Sequence, residues 1–151
     1  MQAMVVWKDA MLFEGLTDGH VVNLDAKTPI GKSSAATPKE LVVLGLGGCT
    51  AMDVIALLKK YKQPPQTLTV KVDITPSTAK QPAVFSTAAL LFEVTGQVDP
   101  QKLLEAVHLS QTKYCGVSAM LSKAFPITYR VLLNGAEIGK GQAQFSDSDP
   151  S

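Results

Sequence analysis

The sequence predicts an α+β domain in which β-sheets wrap around central helices. The predicted elements follow the order β-β-β-α-β-β-α-α-β, without the regular alternation that a doubly wound parallel sheet requires. The segment 41–58 is apolar on nearly every side, and Asp53 is its only charged residue, which is typical of a buried helix. A length of 151 residues fits one domain with a sizeable core. We assign residues 1–140 to this domain and 141–151 to a flexible polar tail.

Three short strands open the chain, at 2–8, 11–14 and 20–24, because apolar residues there are bounded by polar and glycine-containing turns. A helix then begins at Pro38. Thr37 suits the N-cap, and Glu40 stands where a capping box needs an acidic side chain.

Three glycines interrupt this helix just before Cys49, namely Gly45, Gly47 and Gly48. Glycine costs about 1 kcal/mol in a helix interior relative to alanine. The cluster therefore predicts close backbone packing or a local distortion beside that cysteine.

The second half of the chain is predicted to contain both strands and helices. Residues 67–75 and 84–95 are predicted strands, and Asp99 is the expected N-cap of a helix that ends near residue 110. A further helix at 113–124 carries Cys115. A strand at 126–133 and an Asn-Gly turn leading into a short extra strand complete the order.

Charge excludes one class of function. The net charge is +1, and 13 of the 14 basic residues are lysines, which leaves Arg130 as the single arginine. Such a chain has no excess of cations for neutralising phosphates, so we expect no nucleic-acid partner. We also see no signal peptide and no membrane span, and we expect a cytoplasmic protein.

Cys49 and Cys115 are the two cysteines, and neither belongs to a C-x-x-C pair. Structural disulfides are rare in the cytoplasm. Three interpretations remain open from the residues alone: core packing, metal ligation or redox chemistry.

Two motifs carry a family resemblance. Pro-Lys-Glu-Leu at 38–41 is followed by Gly-Gly-Cys-Thr-Ala-Met-Asp-Val at 47–54, and Lys-Tyr-Cys occurs at 113–115. With this cysteine spacing and element order, residues 1–134 resemble the OsmC/Ohr superfamily of thiol-dependent hydroperoxide reductases. The resemblance is strongest to an OsmC-like subgroup with this Gly-Gly-Cys motif.

The resemblance implies an OsmC-like fold in an intertwined homodimer, with antiparallel sheets wrapped around paired helices. It also implies that Cys49 attacks an organic hydroperoxide and that Cys115 resolves the product as a Cys49–Cys115 disulfide, in defence against oxidative stress. An external dithiol, a protein-bound lipoyl group in one branch of the family, would reset the pair. No metal, flavin or other cofactor is implied.

The chain departs from the family pattern around Cys49. Family members activate the first cysteine with an arginine from the N-terminal strands and a glutamate. Here no arginine precedes Arg130, and Glu40 stands nine residues before Cys49 instead of ten. Glu40 is still our third predicted catalytic residue, with the capping box as its alternative role.

Asp53 is a further departure, because it lies four residues after Cys49 and so on the same helical face. A carboxylate there disfavours a thiolate unless it is paired. It could instead connect the helix to Lys113 or Tyr114.

Two rival functions follow. One is a non-catalytic dimer that binds a small apolar molecule at its interface, which the missing arginine favours. The other is zinc binding by Cys49, Cys115 and a histidine, although their spacing matches no standard ligand pattern.

Overall fold

The computed structural model describes residues 1–77 and 81–146. The chain divides into two compact units, Met1–Val43 and Leu44–Ser151. Each unit has a sheet of its own, and both sheets are accompanied by helical structure in the α+β arrangement that the sequence predicts.

The first unit contains an antiparallel sheet in the order β1-β2-β3. Its strands are β1 (Ala3–Asp9), β2 (Leu12–Thr17) and β3 (His20–Leu24). β2 extends beyond the predicted end at residue 14, because the turn to β3 needs only two residues. Asp18 and Gly19 both have positive φ, 46° and 83°, as a tight Asp-Gly hairpin turn requires.

Helix α1 (Pro38–Lys60) begins where the sequence predicts. The capping box is formed: the Thr37 amide donates to Glu40 Oε2 at 2.8 Å, and the Glu40 amide donates to Thr37 Oγ1 at 3.3 Å. The three glycines do not break the helix.

The expectation that α1 is buried all round is wrong for the single chain. One face is buried, with Leu46, Val54 and Leu58 fully inaccessible, but Leu44 and Met52 remain 64% and 75% exposed. By length and composition alone α1 is apolar enough to cross a membrane, a test that core helices of water-soluble proteins also pass.

The second unit has a sheet in the order β4-β5-β6-β7. Its strands are β4 (Thr67–Pro76), β5 (Phe85–Thr95), β6 (Ile127–Leu133) and β7 (Ala136–Gln142). The antiparallel pairing that the resemblance implies holds for β4 with β5 and for β6 with β7, but β5 and β6 pair in parallel. Parallel neighbours need a long crossover connection, and the helical segment between β5 and β6 provides it.

That crossover differs from the two helices that the sequence predicts. Helix α2 (Pro100–Leu109) starts at its Asp99 N-cap as expected, but a π-helical segment (Ser110–Tyr114) follows directly. Helix α3 (Gly116–Leu121) starts only after Cys115, whose backbone is extended (φ −72°, ψ 100°). Cys115 therefore lies at a break between helices instead of inside one.

The packed part of the chain extends past the boundary predicted at residue 140. β7 ends at Gln142, and Ala143 is buried and donates its amide to the Ile127 carbonyl at 2.8 Å. The remainder of the predicted tail, from residue 147, lies outside the described residues.

Candidate functional site

Cys49 lies on α1, where the helix approaches β4. A Cβ added to Gly47 would come within 2.9 Å of Val72 Cγ2, whereas Gly45 and Gly48 face open space. Gly47 therefore permits the close packing that the glycine cluster predicts, and Cys49 follows it as a half-buried free thiol.

Cys115 is fully buried at the break before α3, and its thiol is also free. Its Sγ accepts a hydrogen bond from the Ser118 amide at 3.3 Å, as the N-cap of that helix. Burial raises the pKa of the Cys115 thiol to about 11, with hydrogen bonds from Ser118 acting in the opposite direction. Cys115 is therefore a protonated thiol at neutral pH.

The fold brings the two cysteines together. The Sγ atoms of Cys49 and Cys115 and a carboxylate oxygen of Asp53 all lie within 4.8 Å of one another. A disulfide needs sulfurs about 2.05 Å apart. The two thiols are thus free and close, and an oxidant that takes two electrons, together with a further approach of the sulfurs, would be needed to join them as a disulfide.

Asp53 is held by a buried polar network. Ser110 Oγ donates to Asp53 Oδ2 at 3.0 Å, and the Ser110 and Thr50 hydroxyls lie 2.8 Å apart. Gln111 Nε2 donates to Thr50 Oγ1 at 2.7 Å. Burial raises the pKa of Asp53, and the hydrogen bond from Ser110 counteracts part of that effect. The partner of Asp53 is thus Ser110, and not the expected Lys113 or Tyr114.

Glu40 belongs to the first unit, where it has two structural contacts. Besides the capping box, its Oε1 lies 2.8 Å from Lys27 Nζ. The hydrogen bond from Lys27 and that from the Thr37 amide lower the pKa of Glu40 to about 2. The capping role is confirmed, and the catalytic role remains a prediction.

Arg130, the single arginine, lies on β6 and pairs with Glu137 on β7. Its guanidinium Nε donates to Glu137 Oε2 at 2.7 Å on the exposed side of the strands. Because Arg130 is the single arginine of the chain and pairs with Glu137, no arginine takes the place of the one that family members carry beside the first cysteine.

Sequence reasoning missed Thr50, Ser110 and Gln111, all of which are fully buried. A signal for Thr50 existed, because it lies next to Cys49 on an otherwise apolar helix. Ser110 and Gln111 gave none, since they look like the polar end of a helix until the π-helical segment turns them inward. Segments of π-helix occur frequently at functional sites.

The mixed α+β fold thus places two free thiols within 4.8 Å of each other, Cys49 on α1 and Cys115 at the break before α3. A family model described as OsmC-like protein matches residues 31–130. The Escherichia coli (strain K12) protein YhfA is 35% identical over 132 residues, which cover 85% of this chain and 95% of YhfA. The chain belongs to the OsmC-like family, as its motifs predict. The narrower subgroup remains a prediction.

Solved structures share the fold. The chain superposes on an OsmC-like protein from Mycoplasma pneumoniae with a TM-score of 0.77 at 15% identity, covering 87% of this chain and 95% of that one. The organic hydroperoxide resistance protein OhrB of Bacillus subtilis gives a TM-score of 0.65 at 14% identity, covering 87% and 98%. Members of the family are typically dimers.

Proposed function

We propose that the protein is a thiol peroxidase that reduces organic hydroperoxides, with Cys49 as the attacking and Cys115 as the resolving residue. The observation that carries the proposal is the placement of two free sulfurs within 4.8 Å of each other. Cys49 is half-buried, whereas Cys115 is fully buried, so Cys49 is the more accessible of the two thiols.

The chemistry proceeds in two steps. The Cys49 thiolate attacks the terminal oxygen of the hydroperoxide, the O–O bond breaks, and the alcohol leaves after taking up a proton. Cys49 is then a sulfenic acid. Cys115, as its thiolate, attacks the Cys49 sulfur, the S–O bond breaks, and water leaves as the disulfide forms.

An external dithiol then completes the cycle by two thiol–disulfide exchanges that return both cysteines to thiols. A protein-bound lipoyl group has the required chemistry. The proposed setting is the cytoplasm, where such reductants keep thiols reduced. The names of two structural neighbours fit the substrate class, since both the Bacillus subtilis protein and one from Legionella pneumophila are called organic hydroperoxide resistance proteins.

We further propose that the working form is the intertwined homodimer. Each unit by itself leaves apolar surface uncovered. In the first unit Val5 and Trp7 are 61% and 64% exposed on the sheet, and in the second a shallow groove of about 540 Å³ lies beside Met52 and Leu68. Surfaces of this kind are typical of protein contacts in oligomers.

The test is a stopped-flow reaction of the reduced protein with cumene hydroperoxide, combined with thiol counting. Rapid loss of both thiols, abolished in Cys49→Ser, is the expected result. Loss no faster than that of a free thiol would sink the proposal.

The second candidate is a non-catalytic dimer that binds a small apolar molecule. This alternative is favoured because the single arginine, Arg130, pairs with Glu137 and so is not used to activate a thiol. Slow thiol loss together with saturable binding of an apolar dye would support this alternative.

A further inference from the structure

The Cys49, Asp53 and Cys115 cluster has a property that peroxide chemistry does not use. Its two sulfurs and one carboxylate oxygen come from different side chains and converge within 4.8 Å. All three residues belong to the second unit, so a single chain supplies the complete set. Two thiolates and a carboxylate are ligands that Zn²⁺ accepts.

The spacing is close to what the ion requires. In tetrahedral coordination with Zn–S bonds of about 2.3 Å, two sulfurs stand about 3.7 Å apart. Side-chain rotations that bring the two sulfur atoms about 1 Å closer would reduce their distance from the upper limit of 4.8 Å to that separation. Three protein ligands leave the fourth position to water or to another small molecule.

The surroundings orient the carboxylate as an outer shell would. Ser110 Oγ donates to Asp53 Oδ2, and Ser110 is itself fixed by Thr50. Both hydroxyl residues are fully inaccessible to solvent, and the side-chain carbonyl oxygen of Gln111 beside them is buried without a partner among the described residues. Ligating carboxylates are commonly held by such hydrogen bonds.

We propose that the reduced protein binds one Zn²⁺ per chain through Cys49 Sγ, Asp53 and Cys115 Sγ. Each thiol releases its proton on binding, and no oxidation is involved. The inference needs only reduced thiols and stands whether or not the protein reduces peroxides. Because the same two sulfurs form the disulfide, zinc binding and disulfide formation exclude each other. The cluster then holds the ion only in its reduced state.

The test is an anaerobic titration of the full-length reduced protein with Zn²⁺ against a colorimetric chelator, repeated with Cd²⁺ to record the sulfur-to-metal charge-transfer band. The expected result is one ion per chain, with both thiols protected from alkylation. Oxidation of the pair with diamide, in the absence of any peroxide, should release the ion.

Variants assign the ligands. Asp53→Asn and Ser110→Ala should each weaken binding by about tenfold or more, and Cys49→Ser should abolish it together with the charge-transfer band. Asp73→Asn is the matched control, because Asp73 is an exposed carboxylate on β4 outside the cluster, and it should bind as the unmodified protein does.

Absence of stoichiometric binding, or affinity unchanged in Asp53→Asn, would overturn the proposal. Zinc stoichiometry and protection of the thiols from alkylation are measured on the unmodified protein. They therefore test the proposal even if a variant fails to fold. Zinc binding with slow thiol loss to cumene hydroperoxide would refute the peroxidase alone. Rapid thiol loss without zinc binding would refute the metal site alone.

Discussion

At the scale of single residues, the two cysteines differ in burial. Cys115 is inaccessible and its pKa is raised to about 11, so it carries little thiolate at neutral pH. Cys49 is half-buried and faces less restriction on access. A thiol that is slow to react directly with solvent peroxide but adjacent to an oxidised partner suits resolution and not attack.

This asymmetry gives a pH prediction for the resolving step. Because the thiolate is the nucleophile, disulfide closure should accelerate as pH rises toward about 11, by about tenfold per unit while Cys115 stays mostly protonated. Stopped-flow measurement of disulfide closure in peroxide-oxidised protein checks it. If the rate of disulfide closure levelled off below pH 9, deprotonation of a buried Cys115 with a raised pKa would not limit that step.

Ser110 is the second residue-scale prediction. Ser110→Ala removes the donor to Asp53 and the partner of Thr50, and should lower the free energy of unfolding by about 1–3 kcal/mol. Urea denaturation measures it. Thr112→Ala is the control, since the Thr112 hydroxyl is exposed and bonds to its own helix, and its effect should stay within about 0.5 kcal/mol. Equal losses in the two variants would argue against a special role for the buried network.

At the scale of elements, the start of α1 is held by charge as well as by capping. The pKa of Glu40 is lowered to about 2 by Lys27 and by the Thr37 amide. A carboxyl whose pKa is depressed on folding stabilises the fold above its unfolded value near 4.5, and this contribution is lost as pH falls toward 2.

Glu40→Gln should therefore melt at a slightly lower temperature than the unmodified protein at pH 7, and the difference should vanish between pH 4.5 and 2. The effect is small because the ion pair is solvent-exposed. Lys27→Met separates the contributions, since it removes the ion pair and keeps the capping box. Thermal melts across this pH range are the measurement, and a difference that grows on acidification would contradict the assignment.

Gly47 tests the approach of α1 to β4. A methyl group there would meet Val72, a stiff side chain, at 2.9 Å, so Gly47→Ala should cost about 1–3 kcal/mol. Gly45→Ala enters open space and should stabilise the helix by up to about 1 kcal/mol. Chemical denaturation of the two variants compares them directly. If Gly47→Ala were as well tolerated as Gly45→Ala, the close approach would not exist.

Local signals predicted most elements well. The Thr37–Glu40 capping box and the Asp99 N-cap fixed two helix starts, because capping depends on neighbours in sequence. The break at Cys115 escaped prediction, because a single glycine such as Gly116 is tolerated inside a helical pattern and does not by itself specify a break. The π-helical segment that turns Ser110 and Gln111 inward depends on tertiary packing, and a short sequence pattern does not reveal such packing.

At the scale of the whole molecule, the exposed apolar surface is the feature that a single chain does not explain. The sequence predicted that α1 would be surrounded, and the chain alone covers one face of it. The pairing of β5 with β6 likewise depends on contacts far apart in sequence. The element order predicted the α+β fold and the family resemblance predicted the meeting of the cysteines, while the polar network and the mixed sheet required the structure.

If the homodimer covers α1, a charge on its exposed face should break it. Met52→Glu is expected to shift the protein from dimer to monomer, because a desolvated carboxylate at an apolar contact is costly. Gln101→Glu, which adds the same charge on the exposed side of α2, should leave the mass unchanged. Light scattering coupled to size exclusion measures both. A dimeric Met52→Glu protein would place the interface elsewhere.

The most direct test of the proposed two-cysteine chemistry is to trap its intermediate. Cys115→Ser treated with one equivalent of cumene hydroperoxide should accumulate a sulfenic acid at Cys49 that reacts with dimedone, whereas the unmodified protein should form the Cys49–Cys115 disulfide within one chain. Mass spectrometry of digested protein identifies both products. Dimedone at Cys115 in Cys49→Ser, or no adduct at Cys49 in Cys115→Ser, would contradict the division of roles on which the account depends.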